Sequence, residues 1–498
     1  MLLVGPTLPV MTIDNGTAVA AAALPRAGPP HGVTAPPQDE TSGADLVLPL
    51  VAVGAAGLLA GYCLRRTRRA RTRATPAGGP APPPVPPPEA ALEKRARDAL
   101  VGTDDCLRTS REELAWAEAR FGAEAVAPYE RAVRQAGTEL AAALALRLRY
   151  NHGLPSDPAA RRQALAGMAG RCEEADRLLD AAAGGLDRLR GLDGDPGAAL
   201  HLAEARFREL AARTPATQAR LAALTGRYAP SATEHVTGDV EQAKDRLVFA
   251  TARINLARQS VDSGDEPAAA AHLRAAEGAV AQAAVFLDGV DRLAAELDEA
   301  AALLPAVLTG AEAERAGAAG RLLDVPAGEA RSRLLHADAV LASVRGELTA
   351  GRPYDPLDLL RRVVRAAAPL AMGRAGALSA AALLTARSAT AAAAGFVTTH
   401  RGAVGAAART LLAEAERLLA APAPADHLHA DALAREAREL AEHDVRARGN
   451  PYADLDAGAS GTAGAVLGGV LLPVALPTGV PLAFGGPTTR ERRAVPTA

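Results

Sequence analysis

Leu273 to Leu304 reads LRAAEGAVAQAAVFLDGVDRLAAELDEAAALL, and its apolar spacing decides the fold class. Leu273, Ala276, Val280, Ala283, Leu287, Val290, Ala294, Leu297, Ala301 and Leu304 follow one another in alternating steps of three and four. A sustained 3.5-residue period lines these positions along one helical seam, the pattern of coiled coils and long bundles. Similar runs cover Leu165 to Leu189, Leu200 to Tyr228 and Val240 to Val261. Alanine fills many of the seam positions, so helices approach closely while each residue buries little area.

Breakers separate the runs: Pro155 and Pro158, GLDGDPG at Gly191–Gly197, Pro230, SGDEP at Ser263–Pro267 and RPYDP at Arg352–Pro356. Connections this short force neighbouring helices to run antiparallel. Their spacing predicts helices of roughly 25–35 residues, or ~40–50 Å. The expected fold is all-α, with long antiparallel, coiled-coil-like hairpins. It divides into a first bundle part over 89–230, a heptad-rich hairpin over 231–350 and a C-terminal helical part over 351–448.

Outside this region the chain changes character. Leu46 to Leu64, LVLPLVAVGAAGLLAGYCL, carries no charge. As a helix it would be about 28 Å long, close to the ~30 Å hydrocarbon core of a bilayer. Arg65, Arg66, Arg68, Arg69, Arg71 and Arg73 follow with no acid among them. Such a flank stays in the cytoplasm, which predicts a single-pass protein of the cell membrane, N-terminus outside and bulk of the chain inside. Residues 1–45 read as a short, disordered extracytoplasmic segment. Residues 65–88 end in PAGGPAPPPVPPP, a polyproline spacer reaching about 40 Å. Residues 449–498 form a Gly/Pro-rich apolar tail. Its uncharged stretch Gly461–Phe484 is interrupted by Pro473, Pro477 and Pro481, so a disordered or membrane-touching tail is expected rather than a second span.

The chemistry of the chain is defined mainly by exclusion. Aromatic residues make up 3% of the 498 positions, too few for the usual core of a sheet enzyme, and the net charge of −2 gives no pull toward nucleic acid. Neither lysine, Lys94 or Lys244, completes a phosphate-binding loop, and HExxH, GxSxG and GxGxxG are absent. Cys63, Cys106 and Cys172 form no CxxC pair, as suits a reducing compartment. Cys172 sits on a seam, Cys106 lies beside Asp104 and Asp105, and Trp116 adjoins a seam, so all three read as packing residues. His427, His429 and His443, near Asp426 and Asp431, have the wrong spacing to chelate a metal from one helix face. Most charges read as solvated helix faces with i to i+4 pairing. No catalytic residue, cofactor, metal or small-molecule substrate is expected.

Several stretches carry a family resemblance: TDDCLRTSREELAWAEARFG (Thr103–Gly122), RCEEADRLLD (Arg171–Asp180), EQAKDRLVFAT (Glu241–Thr251), RAAEGAV (Arg274–Val280), RPYDPLDLLRR (Arg352–Arg362), LLTARS…FVTTHRGAVG (Leu383–Gly405) and GNPY (Gly449–Tyr452). Together, over roughly residues 46–470, they resemble the span and cytoplasmic part of actinobacterial TPM-domain membrane proteins. In that family an extracytoplasmic TPM domain, shared with thylakoid proteins for which phosphatase activity has been proposed, precedes a single span. A long helical region and a Gly-rich tail follow. The resemblance implies a relative lacking the TPM domain, because 45 residues cannot hold it, or a chain whose true start lies upstream of Met1. Any phosphatase or metal role of that domain therefore transfers to no residue here.

The function expected is a membrane scaffold. The bilayer holds the span, and a second copy or a cytoplasmic protein engages the heptad seams. The alternative is a transmembrane relay coupling an outer domain or partner to the helices. Enzymatic and membrane-remodelling readings lack, respectively, a polar cluster and a basic helix face.

Overall fold

The computed structural model describes residues 87–152, 157–192, 194, 196–321, 328–370, 376–447 and 483–493. All regular structure among the described residues is helical, as the heptad pattern requires. The segments 1–45 and 46–64, the arginines Arg65, Arg66, Arg68, Arg69, Arg71 and Arg73, and nearly all of the proline spacer lie outside the described residues.

Helices α1 (Glu89–Phe121), α2 (Ala123–His152) and α3 (Pro158–Arg190) pack into a three-helix bundle around Leu107, Leu140 and Leu179. Helix α4 (Gly197–Arg227) leads through one helical turn, Pro230–Thr233, and a 3-10 turn, Glu234–Val236, to α5 (Asp239–Asp262) and α6 (Glu266–Arg321). Helix α6 is the spine. Its 56 residues extend about 84 Å. The first half closes a core with α4 and α5 around Leu247, Ile254, Leu273 and Leu287. The second half closes another with α7 (Glu329–Thr349), α8 (Pro356–Ala367) and the start of α9 (Gly376–Thr399) around Leu297, Leu304 and Leu360. Helices α9, α10 (Ala406–Leu419) and α11 (Pro424–Ala447) form the last bundle, and α12 (Pro487–Arg493) returns to rest on α3.

The breakers act as their residue types dictate. SGDEP joins α5 to α6 as an antiparallel hairpin, with Gly264 at φ 75°. Asp157 and Asp355 cap α3 and α8 through the amides of Ala160 and Asp358, each with proline in the first helical position. Two lengths differ from expectation. The spine runs twice the predicted helix length, with Pro305 on its exposed side. The first segment breaks where no proline stands: Gly122, at φ 82°, ends α1 by turning the chain left-handed.

The seams agree with the structure until they drift. On α6 the buried positions follow the predicted series to Val290, then shift back one residue to Leu293, Leu297, Ala300, Leu304 and Val307. Ala294 and Ala301 are only partly buried. A straight helix has 3.6 residues per turn, so a strict 3.5 period cannot face a single partner for eight turns. The same slip on α3 replaces Leu189 with Arg190 in the core.

That substitution exposes a larger departure. Arg190 is buried and donates to Glu113 at 2.5 Å and to both carboxylate oxygens of Glu277 at 2.6 and 2.7 Å. Arg409 pairs with Asp104 and, at 2.8 Å, with Asp105. Arg401 grips Glu112 at 2.6 and 3.0 Å. Asp431, fully buried, receives Arg361 at 2.8 Å and Arg365 at 3.0 Å. Pairs such as Lys94–Asp98 and Glu130–Arg134 are the solvated i to i+4 kind expected. The buried ones cross between helices instead.

The C-terminal tail also departs from a disordered end. Ala483 to Gly486 are buried against α1 and α3.

Among the described residues α9 is the helix long and apolar enough to cross a membrane. Its position is that of a core helix. Leu378, Ala382, Ala386, Ala393 and Val397 are buried. Polar partners also reach it along its length: Glu296 accepts from Ser388, Arg438 donates to Ala392 O and Arg108 donates to Thr398. Such partners have no place on a lipid-facing surface.

Two substitutions test this packing by chemical denaturation. Leu293→Ala is expected to cost about 2–5 kcal/mol, whereas a strict heptad leaves Leu293 off the seam and predicts a loss under ~1 kcal/mol. Asp431→Ala is expected to cost about 3–5 kcal/mol, because it strands two arginines whose charge it holds.

Candidate functional site

The prolines that end α4 and begin α8 also build a cleft. Ala229 N donates to Tyr354 O at 3.2 Å, and Ser231 Oγ donates to Asp355 Oδ2 at 3.2 Å. These bonds fasten the turn after α4 to the RPYDP loop. Between that turn and α8, α9 and α11 lies a cleft of about 510 Å³, within the size range of ligand pockets. Arg361, Arg435 and Arg438 line it, interspersed with Glu234, Asp355, Asp358, Glu439 and Glu442. Asp431 anchors Arg361 from beneath.

Beneath the cleft sits a smaller polar cavity of about 30 Å³, room for a water or two. His235, Ala392 and Arg438 border both spaces; Asp239, Arg292 and Phe396 line the inner one. Gly289 on α6 leaves it open, since a Cβ there would stand 3.6 Å from Asp239 Oδ2.

The inner wall is a layered stack. Arg246 lies over the Phe286 ring at 4.7 Å, and Phe286 meets His400 edge-on at 6.4 Å. His400 stacks on Phe396 at 4.2 Å, and Arg438 covers the other ring contact at 4.7 Å. Ring faces are electron-rich, so guanidiniums stripped of water are attracted to them. Arg438 also donates to His235 O and Ala392 O, each at 3.2 Å, and to Glu442 at 2.8 Å. It ties α11, α9 and the turn after α4 together.

This environment shifts the titrations. Burial, aided by the Arg438 charge, pushes His235 down to about 4. Burial and the nearby Arg246 push His400 down to about 4 as well. Burial raises Asp239 to about 6, against the pull of Arg438 and Arg246. Two neutral imidazoles and a carboxyl that titrates near neutrality therefore share one enclosed corner. Perturbed groups in a cleft mark a candidate site.

The residues singled out from sequence lie elsewhere. His427 faces inward, its Nε2 at 2.8 Å from Ala421 O, while His429 and His443 are exposed. Among the described residues no three metal-ligating side chains converge. Asp431 serves Arg361 and Arg365. Cys106 and Cys172 are buried, and burial pushes both thiols up to about 12. Trp116 is buried with Arg206 over its ring at 4.5 Å. The actual cluster draws His235, Asp239, Phe286, Phe396 and His400 from separate segments. The signal available was rarity: the chain has six phenylalanines, and two of them stand in otherwise alanine-rich helices, where packing asks for none.

A pH experiment follows. The unfolded His400 titrates near 6.5 and the folded one near 4, so the unfolded state binds the extra proton between these values. His400 therefore lowers stability as pH falls from 6.5 toward 4. His400→Leu should gain stability relative to the parent by about 2 kcal/mol between pH 7 and pH 5, read from urea unfolding at each pH.

With this geometry in place, the comparisons with known proteins can be stated. Over 446 residues, 80% of its length, the chain is 32% identical to UPF0603 proteins of Mycobacterium tuberculosis strains CDC 1551 / Oshkosh and ATCC 25618 / H37Rv. The match covers 64% of each of those proteins, so the chain spans less than two thirds of the relatives it matches. No protein-family model and no solved structure matches it. The chain is thus a distant homologue of UPF0603 proteins, a name that specifies no activity.

Proposed function

We propose that this protein is a single-pass membrane scaffold whose helical body is cytoplasmic and binds another protein without catalysing a reaction. The observation that carries the reading is that the heptad seams close within one chain. Leu200, Leu247, Leu273, Leu287 and Leu297 are all buried against other helices of the same body. The body is therefore complete in itself, and the cleft with its interleaved arginines and carboxylates is the surface left to recognise a partner. A segment carrying both signs of charge complements it. Leu46–Leu64 is the anchor in this reading and the arginines from Arg65 to Arg73 its cytoplasmic flank. Because α11 and the segment from Ala483 belong to one body, the stretch between them makes no single crossing.

The relay reading draws on one observation. The matched UPF0603 proteins are longer than the region they share with this chain, and an additional domain could be coupled to the helices.

The anchor is tested by alkaline carbonate extraction of membranes. The full chain should stay with the pellet and a deletion of 46–64 should move to the supernatant; a full chain that washes off overturns the anchor. The cleft is tested by a photo-crosslinker at Arg435. It should yield one discrete adduct that Arg361→Glu with Arg438→Glu abolishes, and an unchanged adduct in the double variant overturns the assignment.

A further inference from the structure

The segment Ala483–Arg490, AFGGPTTR, is held by a groove between α1 and α3 far from the cleft. Phe484 is fully buried in the same apolar cluster as Leu107, Leu114 and Leu179. Its amide donates to a Glu113 carboxylate oxygen. Gly485 N donates to Ser110 Oγ at 3.2 Å, and the amides of Gly486 and Thr489 both donate to Asp180 Oδ1 at 2.9 Å. Arg490 reaches Asp105 O at 3.3 Å. Each amide of this segment that loses water thus meets an acceptor from a helix.

The fit also depends on missing side chains. Gly485 has φ 123°, a conformation that other residues rarely adopt. A Cβ on Gly486 would stand 2.6 Å from the Asp176 carbonyl oxygen and 2.9 Å from Asp180 Oδ2. The site therefore reads an aromatic residue, two glycines in succession and a following cation beside Asp176 and Asp180. Those are the marks of peptide recognition: an anchor pocket, main-chain hydrogen bonds and steric exclusion.

We propose that the α1/α3 groove is a peptide-recognition site for the Phe-Gly-Gly-Pro-Thr-Thr-Arg sequence, and that its occupant is the chain's own C-terminal segment acting as a latch. This goes beyond the scaffold reading and uses none of the cleft. A tethered segment works at an effective concentration on the order of 1 mM, so nine-tenths occupancy requires a Kd below about 100 μM for the same peptide in free form.

Two measurements test it in the detergent-solubilised full chain. Trypsin cleavage after Arg490 should be at least ~10-fold faster in Gly486→Val than in the parent, because cleavage of a docked segment requires its release. A labelled peptide covering residues 481–493 should bind a chain ending at Val480 with a Kd under ~100 μM, and its Gly486→Val version at least tenfold more weakly. Should Gly486→Val fail to fold, the peptide measurement decides. Equal cleavage rates in two folded proteins, or equal binding of the two peptides, overturn the latch. Membrane extraction and crosslinking in the cleft would be unaffected by either result.

Discussion

Alanine on the seams is the constraint on which the structure depends. Each buried alanine contributes roughly 0.8 kcal/mol of methyl burial, against roughly 1.5–3 kcal/mol for a valine or leucine side chain. A seam of small, similar residues also accepts several registers with little difference in packing. The buried arginines remove that freedom. Arg190 meets Glu113 and Glu277, Arg409 meets Asp104, and Arg361 meets Asp431 only when α1, α3, α6, α8, α10 and α11 hold one alignment. Any other register strands charges away from water, at about 3–5 kcal/mol each. The pairs add less to net stability than to the choice of one arrangement.

The spine distributes this order. One half of α6 belongs to a core with α4 and α5, the other to a core with α7 and α8, and α9 lies beside it. The inner cavity forms where these cores meet, because the chain places glycine at Gly289 and phenylalanine at Phe286 on adjacent turns. Aromatic rings there take the place that carboxylates take elsewhere, as the partners of buried guanidiniums. Arg246 and Arg438 are satisfied through ring faces and carbonyls, and their charge keeps His235 and His400 neutral.

Glu113 links the two ends of the chain. One of its oxygens receives Arg190 and the other receives the amide of Phe484. It lies within TDDCLRTSREELAWAEARFG, the stretch that also supplies Asp104, Asp105, Ser110 and Glu112 to the buried pairs and the tail groove. Those residues had read as an ordinary charged helix face. They are acidic because arginines from distant helices arrive there.

Local spacing in the sequence was enough to determine that the chain is helical, where SGDEP and RPYDP turn it, and which leucines on α4 and α5 face inward. Periodicity and proline act over a few residues and need no partner to be understood. Three features required the tertiary structure. The seam slips on α3 and α6 arise because straight helices have 3.6 residues per turn, which matters only once a partner fixes which face is covered. The cluster of His235, Asp239 and His400 exists because three segments distant in sequence meet beside α6. The docking of Phe484 to Gly486 depends on a groove made by α1 and α3, so the same glycines that locally signal disorder become the residues that fit.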